Sequence, residues 1–431
     1  MYAPIPRKDK LRLRDLAKKV AEIAESPREA EKAQAWQRHN DLEAGNRPMV
    51  LCGCDRGRGF DEIVKDAELQ CKSKTSRDFE RKLLERLFFG EKMGDDTVID
   101  KELIIPTVYR IKNEAFGLMI EAEQKKFASK SGSFHWEPTL PDYAKLDTLK
   151  YQEFKVYRGL SRIVKSMAED VFGGILDVKT QFRSYWTTPS LSAKAIYMRG
   201  MEQFYLDMYD YPDEVHKMFR FLTDNCLRRI EFMEKEGLLS LNNGNQYVGS
   251  GGYGFTKQLP SEGYKGAVGA TRGRPPLIKT QDLWGFVESQ ETVTVSPAMY
   301  EEFVFPYLKE IATRFGLNCY GCCEPLERTI ELIKTIPNLR RVSVSPWANV
   351  PKMAEALQDK YVFSLKPNPA TLAVPNMDKA EARKWLKENI AICKAHNCKL
   401  EIIMKDLTTV GNNPNNVIEW TKMAREELAN Y

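Results

Sequence analysis

The sequence lacks the features that mark membrane and secreted proteins. No stretch of about 18 apolar residues occurs, so we expect no membrane-spanning helix and no membrane partner. The opening residues, MYAPIPRKDK, have neither an apolar core nor a small-residue cleavage site. We therefore expect no secretion signal.

Several motifs with well-understood chemistry are also missing. We find no P-loop, no GxSxG nucleophile elbow and no internal repeat. A glycine-rich segment does occur at residues 243–255, NGNQYVGSGGYGF, but no helical pattern follows it. It is either a loop at a catalytic face or a tight turn, and it does not match a dinucleotide-binding fingerprint.

The excess of positive charge is small. The chain has 431 residues, with 65 Lys and Arg against 60 Asp and Glu, which gives a formal net charge of +5. The clearest basic run, residues 7–14, lies in a predicted amphipathic helix, and no aromatic residues accompany its charges. We therefore expect no nucleic-acid partner.

Cysteine is scarce, with nine residues in the whole chain. The number is odd and two of the cysteines are adjacent, which does not suit a framework of disulfides. Reduced thiols in a cytoplasmic protein fit this usage better. With 42% hydrophobic and 29% charged residues, the composition is that of an ordinary globular protein.

From about residue 150 the sequence alternates between strand and helix patterns, which predicts a parallel sheet with helices outside it. The predicted strands are 174–178, 238–243, 283–291, 317–322, 340–346, 361–369 and 399–406. Residues 296–316 predict one helix, with Ser296 as N-cap and Pro297 in its first turn. We predict a (β/α)8 TIM barrel over residues 131–431, preceded by a mainly helical N-terminal extension, residues 1–130. A doubly wound open sheet is the alternative.

Polar residues follow the strands of the predicted barrel. They are Glu288, Ser289, Gln290 and Glu291, then Cys322, Cys323 and Glu324, then Ser345 and Trp347, then Lys366 and Asn368, then Lys405 and Asp406. Active sites of such barrels lie at the carboxyl ends of the strands. We therefore expect one shared pocket, in which Lys366, Lys405 and Asp406 act in catalysis.

Three of the cysteines lie close together in residues 318–327, NCYGCCEPLE. Side chains alternate between the faces of a strand. The even-numbered residues from Asn318 to Glu324 should therefore share one face, and if that face lines the barrel, Tyr320 lies below Cys322 and Glu324. Cys319 should face the helices, and Gly321 could break the alternation.

Thiolate and carboxylate groups together suggest a metal site, and zinc is the ion that suits them best. The candidate ligands are Cys322 or Cys323, Glu324, and Glu288 or Glu291. Buried cysteines without a metal are the alternative. Three of the histidines, His39, His216 and His396, are interpreted as packing or surface residues, while His135 could line a pocket.

The chain resembles the uroporphyrinogen decarboxylase-like superfamily, in particular its corrinoid-dependent methyltransferase branch. The likeness covers roughly the last three hundred residues. It rests on the segments DLWGFVESQETVTVSPAMYEEFVFPYLKEI, LNCYGCCEPL, VSVSPWANVPKMAEAL, VFSLKPNP and EIIMKDLTTV. The arginine-rich porphyrinogen-binding motif of true uroporphyrinogen decarboxylases is missing, and GCDRGRGF is the nearest stretch.

The resemblance implies a (β/α)8 barrel and a zinc ion held by a His-x-Cys pair and a later Cys. In this chain the Cys falls on Cys322, Tyr320 stands at the His position, and Asp406 stands on the later strand. Either the metal set is shifted to cysteine and carboxylates, for which we take Glu288, Cys322, Cys323 and Glu324, or the metal is lost.

The resemblance also implies a function. We expect a zinc-dependent transfer of a methyl group from a small O-methyl substrate to a corrinoid (cobamide) carried by a partner protein. Aromatic residues near the predicted mouth, among them Trp136 and Phe255, would suit an aromatic methyl ether or could be ordinary core. The candidate substrate-binding residues are Tyr247, Tyr253, Trp284, Tyr320, Trp347 and Asn368.

Two other functions stay open from the sequence. One is a metal-free decarboxylase or lyase of a small carboxylic acid, with Lys366 and Lys405 binding the carboxylate. The other is a non-catalytic binding protein on the same barrel. The cobalamin-binding motif DxHxxG is absent, so we do not expect the chain itself to carry the corrinoid. A homodimer is compatible with each function.

Overall fold

The architecture comes from a computed structural model, which describes residues 5–54, 59–118, 125–126, 134–135, 137–182, 190–261, 277–429 and 431. The helices are α1 (Arg7–Ala24), α2 (Pro27–Asn40), α3 (Gly59–Ile63), α4 (Lys74–Phe88), α5 (Arg158–Phe172), α6 (Leu191–Arg199), α7 (Met201–Asp210), α8 (Pro212–Lys235), α9 (Pro297–Phe303), α10 (Phe305–Ala312), α11 (Ile330–Ile333), α12 (Val350–Leu357), α13 (Lys379–Ala395) and α14 (Asn415–Leu428). The strands are β1 (Met49–Cys54), β2 (Glu102–Pro106), β3 (Tyr109–Lys112), β4 (Lys125–Lys126), β5 (Phe134–His135), β6 (Glu153–Val156), β7 (Asp177–Gln181), β8 (Trp284–Val287), β9 (Leu317–Tyr320), β10 (Leu339–Val344), β11 (Val362–Leu365) and β12 (Lys399–Leu407). No helix within these ranges combines the length and the apolar character needed to cross a membrane.

A parallel sheet of six strands forms the centre of the fold, in the order β1-β12-β11-β10-β9-β8. Every residue of β8, β9 and β11 is buried, as is typical of parallel strands that are covered on both faces. Helices α10, α12 and α14 pack on one face, against β8, β11 and β1 respectively. The mixed α/β class and the alternation of strands and helices in the second half are thus confirmed.

The described strands do not show the closed ring of the predicted TIM barrel. β2 and β7 form a separate parallel pair, while β3 pairs with β6 and β4 with β5 in antiparallel ladders. The strand predicted at 238–243 is not a strand. Instead, the side chain of Asn242 donates to the Trp284 carbonyl at 3.0 Å and accepts from the Trp284 amide at 2.9 Å. A side-chain amide thus takes the place of a backbone ladder beside β8.

The N-terminal segment takes part in the sheet. β1 lies within residues 1–130, and it pairs with β12 from Met49 opposite Glu401 to Cys52 opposite Met404. The same segment contains the helices α1 to α4 and the strands β2 to β4. The boundary at residue 130 stays a prediction, but the sheet draws its strands from both sides of it.

The helix predicted over 296–316 is two helices. Ser296 is the N-cap as predicted, since its hydroxyl accepts from the Met299 amide at 3.2 Å. The helix stops at Phe303 and α10 begins at Phe305, with Pro306 in its first turn. Proline has no N–H to continue the helical ladder, so the chain breaks before it.

The glycine-rich segment 243–255 covers the other face of the sheet. Its backbone at Gly249 has a φ of +65°, and a Cβ placed there would lie 2.6 Å from Cβ of Cys319. Only glycine allows so close an approach. The segment is also a tight turn, because the Val248 amide donates to the Gly252 carbonyl at 3.1 Å and Tyr247 and Tyr253 form an antiparallel bridge.

Candidate functional site

The side chains of Cys319 and Tyr320 on β9 point to the opposite faces of the sheet from those predicted. Cys319 points toward the glycine-rich segment, and Arg341 donates to its Sγ at 3.8 Å. Tyr320 points the other way, where its hydroxyl is hydrogen-bonded to that of Tyr300 on α9. Tyr320 is fully buried on the helix side, so its prediction as a residue below Cys322 in the pocket is wrong.

Gly321 explains how Cys322 nevertheless reaches the site. Its φ of +88° lies in the left-handed region, which breaks the alternation of side chains at the end of β9. Beyond it, Cys322 and Cys323 both lie on the inner side, with their sulfur atoms 3.6 Å apart. Two adjacent residues of a regular strand would point to opposite faces.

A second irregularity brings Lys405 and Asp406 to the same place. β12 carries one extra residue opposite β1, because Cys52 pairs with Met404 while Cys54 pairs with Leu407. Asp406 has a φ of 60°, so this is a β-bulge with one residue in the left-handed region. The bulge allows the Lys405 ammonium to donate to its neighbour Asp406 at 2.6 Å.

These two strand ends meet. Lys405 Nζ lies 3.4 Å from Cys322 Sγ and 3.5 Å from Cys323 Sγ. Cys323 Sγ lies 3.8 Å from Asp406 Oδ2. The cysteines are partly exposed and Lys405 is 9% exposed, so the group borders on solvent. The predicted convergence of Cys322, Cys323, Lys405 and Asp406 is what the structure shows.

The electrostatics of the group favour an ionised Cys322. The hydrogen bond from Cys323 lowers the pKa of the Cys322 thiol; burial opposes this, the Lys405 ammonium adds to it, and the pKa falls to about 5. The nearby hydroxyl of Ser250, from the glycine-rich segment, lowers the pKa of Cys322 further. Burial works against the charge of Lys405, but the two thiols and Asp406 raise its pKa overall. Both shifts favour a Cys322 thiolate paired with the Lys405 ammonium.

The predicted glutamate ligands do not join this group. The Glu324 carboxylate accepts from the backbone amides of Cys322 at 2.8 Å and Ser289 at 3.1 Å. Glu288 accepts from the amide of Gln290 at 3.0 Å. Burial and the nearby Glu324 raise the pKa of Glu288 to about 8. These carboxylates fix the loops that follow β8 and β9.

The other candidate from that loop, Glu291, accepts from the hydroxyls of Ser190 at 3.0 Å and Ser192 at 2.7 Å. Within the described ranges no group of three or more His, Cys, Asp and Glu side chains is arranged to hold a metal ion. The predicted set of Glu288, Cys322, Cys323 and Glu324 therefore does not fit a zinc ion.

Lys366 lies deeper, at the carboxyl end of β11. It is 1% exposed, and in the described part of the chain its ammonium has one hydrogen-bond partner, the hydroxyl of Ser364. Burial lowers the pKa of Lys366 to about 7, against the attraction of Glu401. A lysine that titrates near neutral pH is suited to proton transfer.

Glu401 is the centre of a buried network that the sequence reasoning missed. Ser364 donates to its carboxylate, Arg341 Nε lies 2.9 Å from it, and His39 Nε2 lies 3.3 Å from it. Burial alone would raise the pKa of Glu401, but the positive groups around it hold it at about 2. The signal in the sequence was a charged residue inside each of the apolar strands RRVSV and KLEII.

His39 on α2 is 3% exposed, which agrees with its interpretation as a packing or surface residue. It also faces Glu401 and so links the N-terminal segment to the network. His216 stacks on Phe303, as the packing interpretation expected. The side chains of His135 and Trp136 lie outside the described residues.

The candidate substrate-binding residues are dispersed. Trp284 is buried at the start of β8, with the Arg341 guanidinium 5.3 Å from its ring centroid. Tyr253 packs edge-on against Trp36 at 5.4 Å. Tyr247 is 39% and Trp347 68% exposed. The Asn368 side chain accepts from the Ala370 amide at 3.0 Å, so the structure does not gather these residues into one aromatic pocket.

A cavity of about 1320 Å³ lies elsewhere, between the β2–β7 pair, α2 and residues 239–246. Phe255 lines it, but none of the candidate catalytic, metal-binding or substrate-binding residues does. The chemistry-bearing group at the cysteines is therefore separate from this cavity.

Comparison with known proteins leaves the family open. No protein-family model matches the chain, and no curated protein matches its sequence. Among solved structures, the chain is similar to a methyltransferase from Methanosarcina mazei, with 11% identity and a TM-score of 0.46 over 92% of this chain and 98% of that one. A likeness at this level decides neither the family nor the activity.

Proposed function

We propose that the chain is a methyltransferase that takes a methyl group from a small O-methyl substrate, with the Cys322 sulfur as the reacting atom. The observation that carries this proposal is the position of the Lys405 ammonium, 3.4 Å from that sulfur, at the carboxyl ends of parallel strands. A thiolate next to a cation, partly open to solvent, is a ready nucleophile. The sequence resemblance to corrinoid-dependent methyltransferases supports the choice of a methyl group.

The proposed step balances as a displacement at carbon. The Cys322 sulfur forms a bond to the methyl carbon while the bond between that carbon and the substrate oxygen breaks. The oxygen leaves with the electron pair and takes a proton from Lys366, which is close enough to Cys322 for their charges to interact. Lys405 and Asp406 hold the thiolate in place before the attack.

We propose a corrinoid of a partner protein as the final acceptor. It would supply the centre that takes the methyl group from sulfur and so restores the thiolate. This part of the proposal, like the cytoplasmic location, rests on the sequence alone. No step is assigned to zinc, because the predicted ligands Glu288 and Glu324 are bound to backbone amides instead.

A second candidate is favoured by Lys366. A buried lysine whose pKa lies near 7 can bind a carboxylate or act as an acid, as a decarboxylase or lyase of a small carboxylic acid requires. The two candidates differ in what they need. Methyl transfer needs Cys322 and Lys366, whereas decarboxylation needs Lys366 and not Cys322.

Isotope-labelled methyl donors separate them. We would incubate the wild type, Cys322→Ser and the matched control Cys323→Ser with methyl-labelled aryl and alkyl methyl ethers, and map the label by peptide mass spectrometry. Methyl transfer predicts one labelled methyl group on Cys322 in the wild type and in Cys323→Ser. If the folded wild type yields no labelled cysteine peptide with any donor, the methyl-transfer proposal is rejected.

A further inference from the structure

The Lys405 ammonium contacts three acidic side chains at the cysteine site. Lys405 Nζ lies 3.4 Å from Cys322 Sγ, 3.5 Å from Cys323 Sγ and 2.6 Å from Asp406 Oδ2. The three acidic groups come from two strand ends, β9 and β12. They surround the ammonium, which forms a charge-assisted hydrogen bond to each of them.

The spacing of the two sulfur atoms is one that a pair of zinc ligands also has. Two thiolates bound to tetrahedral zinc, at about 2.3 Å each, lie about 3.8 Å apart. Here the sulfur atoms are 3.6 Å apart. The Lys405 ammonium lies beside both sulfur atoms, however, so a metal ion bound there would be repelled by its positive charge at short distance.

The nearby carboxylates offer no substitute ligands. Both oxygens of Glu324 accept from backbone amides, and Lys405 holds the Asp406 carboxylate. Moving the Glu324 carboxylate onto a metal would leave the backbone amides of Ser289 and Cys322 without this acceptor, which costs free energy.

We propose that Lys405 is the resident cation of this site, standing where a divalent metal would otherwise be bound by Cys322, Cys323 and Asp406. The lysine is thus a positioning residue: it gathers the two thiols and the carboxylate and neutralises them. This inference concerns the same residues as the proposed function but does not depend on methyl transfer, because its readout is metal binding.

The inference predicts that removing the ammonium creates a metal site. In Lys405→Met, two thiols and Asp406 remain around an opening of similar size, a set that Co²⁺ or Zn²⁺ can use. Cobalt serves as the probe, since thiolate ligands give it strong near-ultraviolet absorption. The control is Lys405→Arg, which keeps a cation in place, and the double variant Lys405→Met/Cys322→Ser removes one donor.

We expect no stoichiometric Co²⁺ or Zn²⁺ in the wild type or in Lys405→Arg, about one Co²⁺ per chain with thiolate absorption in Lys405→Met, and none in the double variant. Stoichiometric zinc in the wild type that is lost in Cys322→Ser would overturn the inference. A folded Lys405→Met that binds no cobalt would do the same.

A measurement on the wild type alone covers the case in which Lys405→Met does not fold. Peptide mass spectrometry measures the rate at which iodoacetamide alkylates Cys322 and Cys323. Excess Zn²⁺ should leave this rate unchanged. Protection of both cysteines by zinc would show that a metal displaces Lys405 and would overturn the inference.

Discussion

At the scale of the residue, the site depends on which groups Lys405 touches. Its ammonium is shared between Cys322, Cys323 and Asp406, so the charge state of each depends on the others. The adjacent thiols are not equivalent, because Cys323 donates a hydrogen bond that lowers the pKa of Cys322, while its own pKa is raised. One thiol is therefore the nucleophile and its neighbour the donor.

This asymmetry gives a prediction for alkylation. With a pKa of about 5, Cys322 is thiolate at all pH values well above that, so its rate of reaction with iodoacetamide should be nearly constant through neutral pH. Lys405→Met removes the cation but leaves the hydrogen bond from Cys323, so the pKa of Cys322 should rise and the labelling rate should level off at a higher pH than in the wild type. The measurement is the pH profile of labelling at Cys322 by mass spectrometry. A wild-type rate that climbs tenfold per pH unit through neutrality would contradict the pairing.

The buried carboxylate gives a prediction for stability. Glu401→Gln removes the charge that Arg341 and His39 face, and breaking a buried pair in this way should cost about 3–5 kcal/mol of unfolding free energy near neutral pH. The pKa of Glu401 falls from 4.5 to about 2 on folding, so its contribution is fully present above pH 4.5 and is lost as the pH falls toward 2.

Urea unfolding of the wild type and Glu401→Gln at several pH values checks this. We expect the difference in unfolding free energy to shrink as the pH falls below 4.5, the ordinary value for Glu401. The groups that act on Glu401 are Arg341, His39, Lys366 and Ser364, and all four are present in both the wild type and Glu401→Gln. A difference independent of pH would mean that the lost packing, and not the lost charge, sets the stability.

The sequence predicted part of this residue-scale picture. Cys322, Cys323, Lys405 and Asp406 could be placed together because each follows a strand of one parallel sheet. Tyr320 was misplaced because strict alternation was applied along residues 318–324. The Glu401 network was missed because His39, its partner, lies more than three hundred residues away in sequence, and no local pattern records such a contact.

At the scale of the element, two interruptions of regular strands build the site. Gly321 at the end of β9 and the bulge at Asp406 on β12 each have a positive φ. Each interruption lets two neighbouring side chains reach the same side, first the two cysteines and then the lysine and aspartate. The first could be suspected from the glycine; the second has no such mark, since Asp is tolerated in the left-handed region without being required there.

The glycine-rich segment gives a prediction at this scale. Gly249 and Gly45 have similar φ values, +65° and +69°, so alanine should cause similar backbone strain at both. A Cβ at residue 249 would lie 2.6 Å from Cβ of Cys319, whereas nothing lies within 4 Å at residue 45. We expect Gly249→Ala to destabilise the fold by about 1–3 kcal/mol more than Gly45→Ala, because of overpacking.

Thermal and urea unfolding of the two variants measure that difference directly. Equal losses of unfolding free energy would mean that the segment does not press on the sheet at Cys319. Placement of the segment over the site strands would then have to be abandoned.

At the scale of the whole molecule, the sheet joins the two ends of the chain. β1, from the N-terminal segment, pairs with β12 near the C-terminus, and His39 and Asn40 on α2 reach Glu401 and Arg341. Alternating strands and helices predicted the second half of the fold. The joining strand β1 is not among the strands predicted from the sequence, because its pairing partner lies about 350 residues later in the sequence.

This arrangement predicts that the predicted barrel segment does not fold alone. A fragment of residues 131–431 would expose β12 as an edge strand and leave the buried Arg341 without Asn40, whose side-chain oxygen accepts from it at 2.6 Å. We expect the fragment to aggregate or to lack cooperative unfolding, while addition of residues 1–130 as a separate chain should restore it. A fragment as stable as the full chain would make the extension an independent domain.

The proposed activity is tested most directly by methyl transfer to reduced cobalamin, followed by its absorbance, with O-methyl donors and either the wild type, Cys322→Ser or Cys323→Ser. We predict formation of methylcobalamin by the wild type, a residual rate no higher than that without protein for Cys322→Ser, and measurable transfer by Cys323→Ser. Equal rates for the wild type and a folded Cys322→Ser, or no transfer from any donor by the wild type, would contradict the assignment of Cys322 as the atom that receives the methyl group.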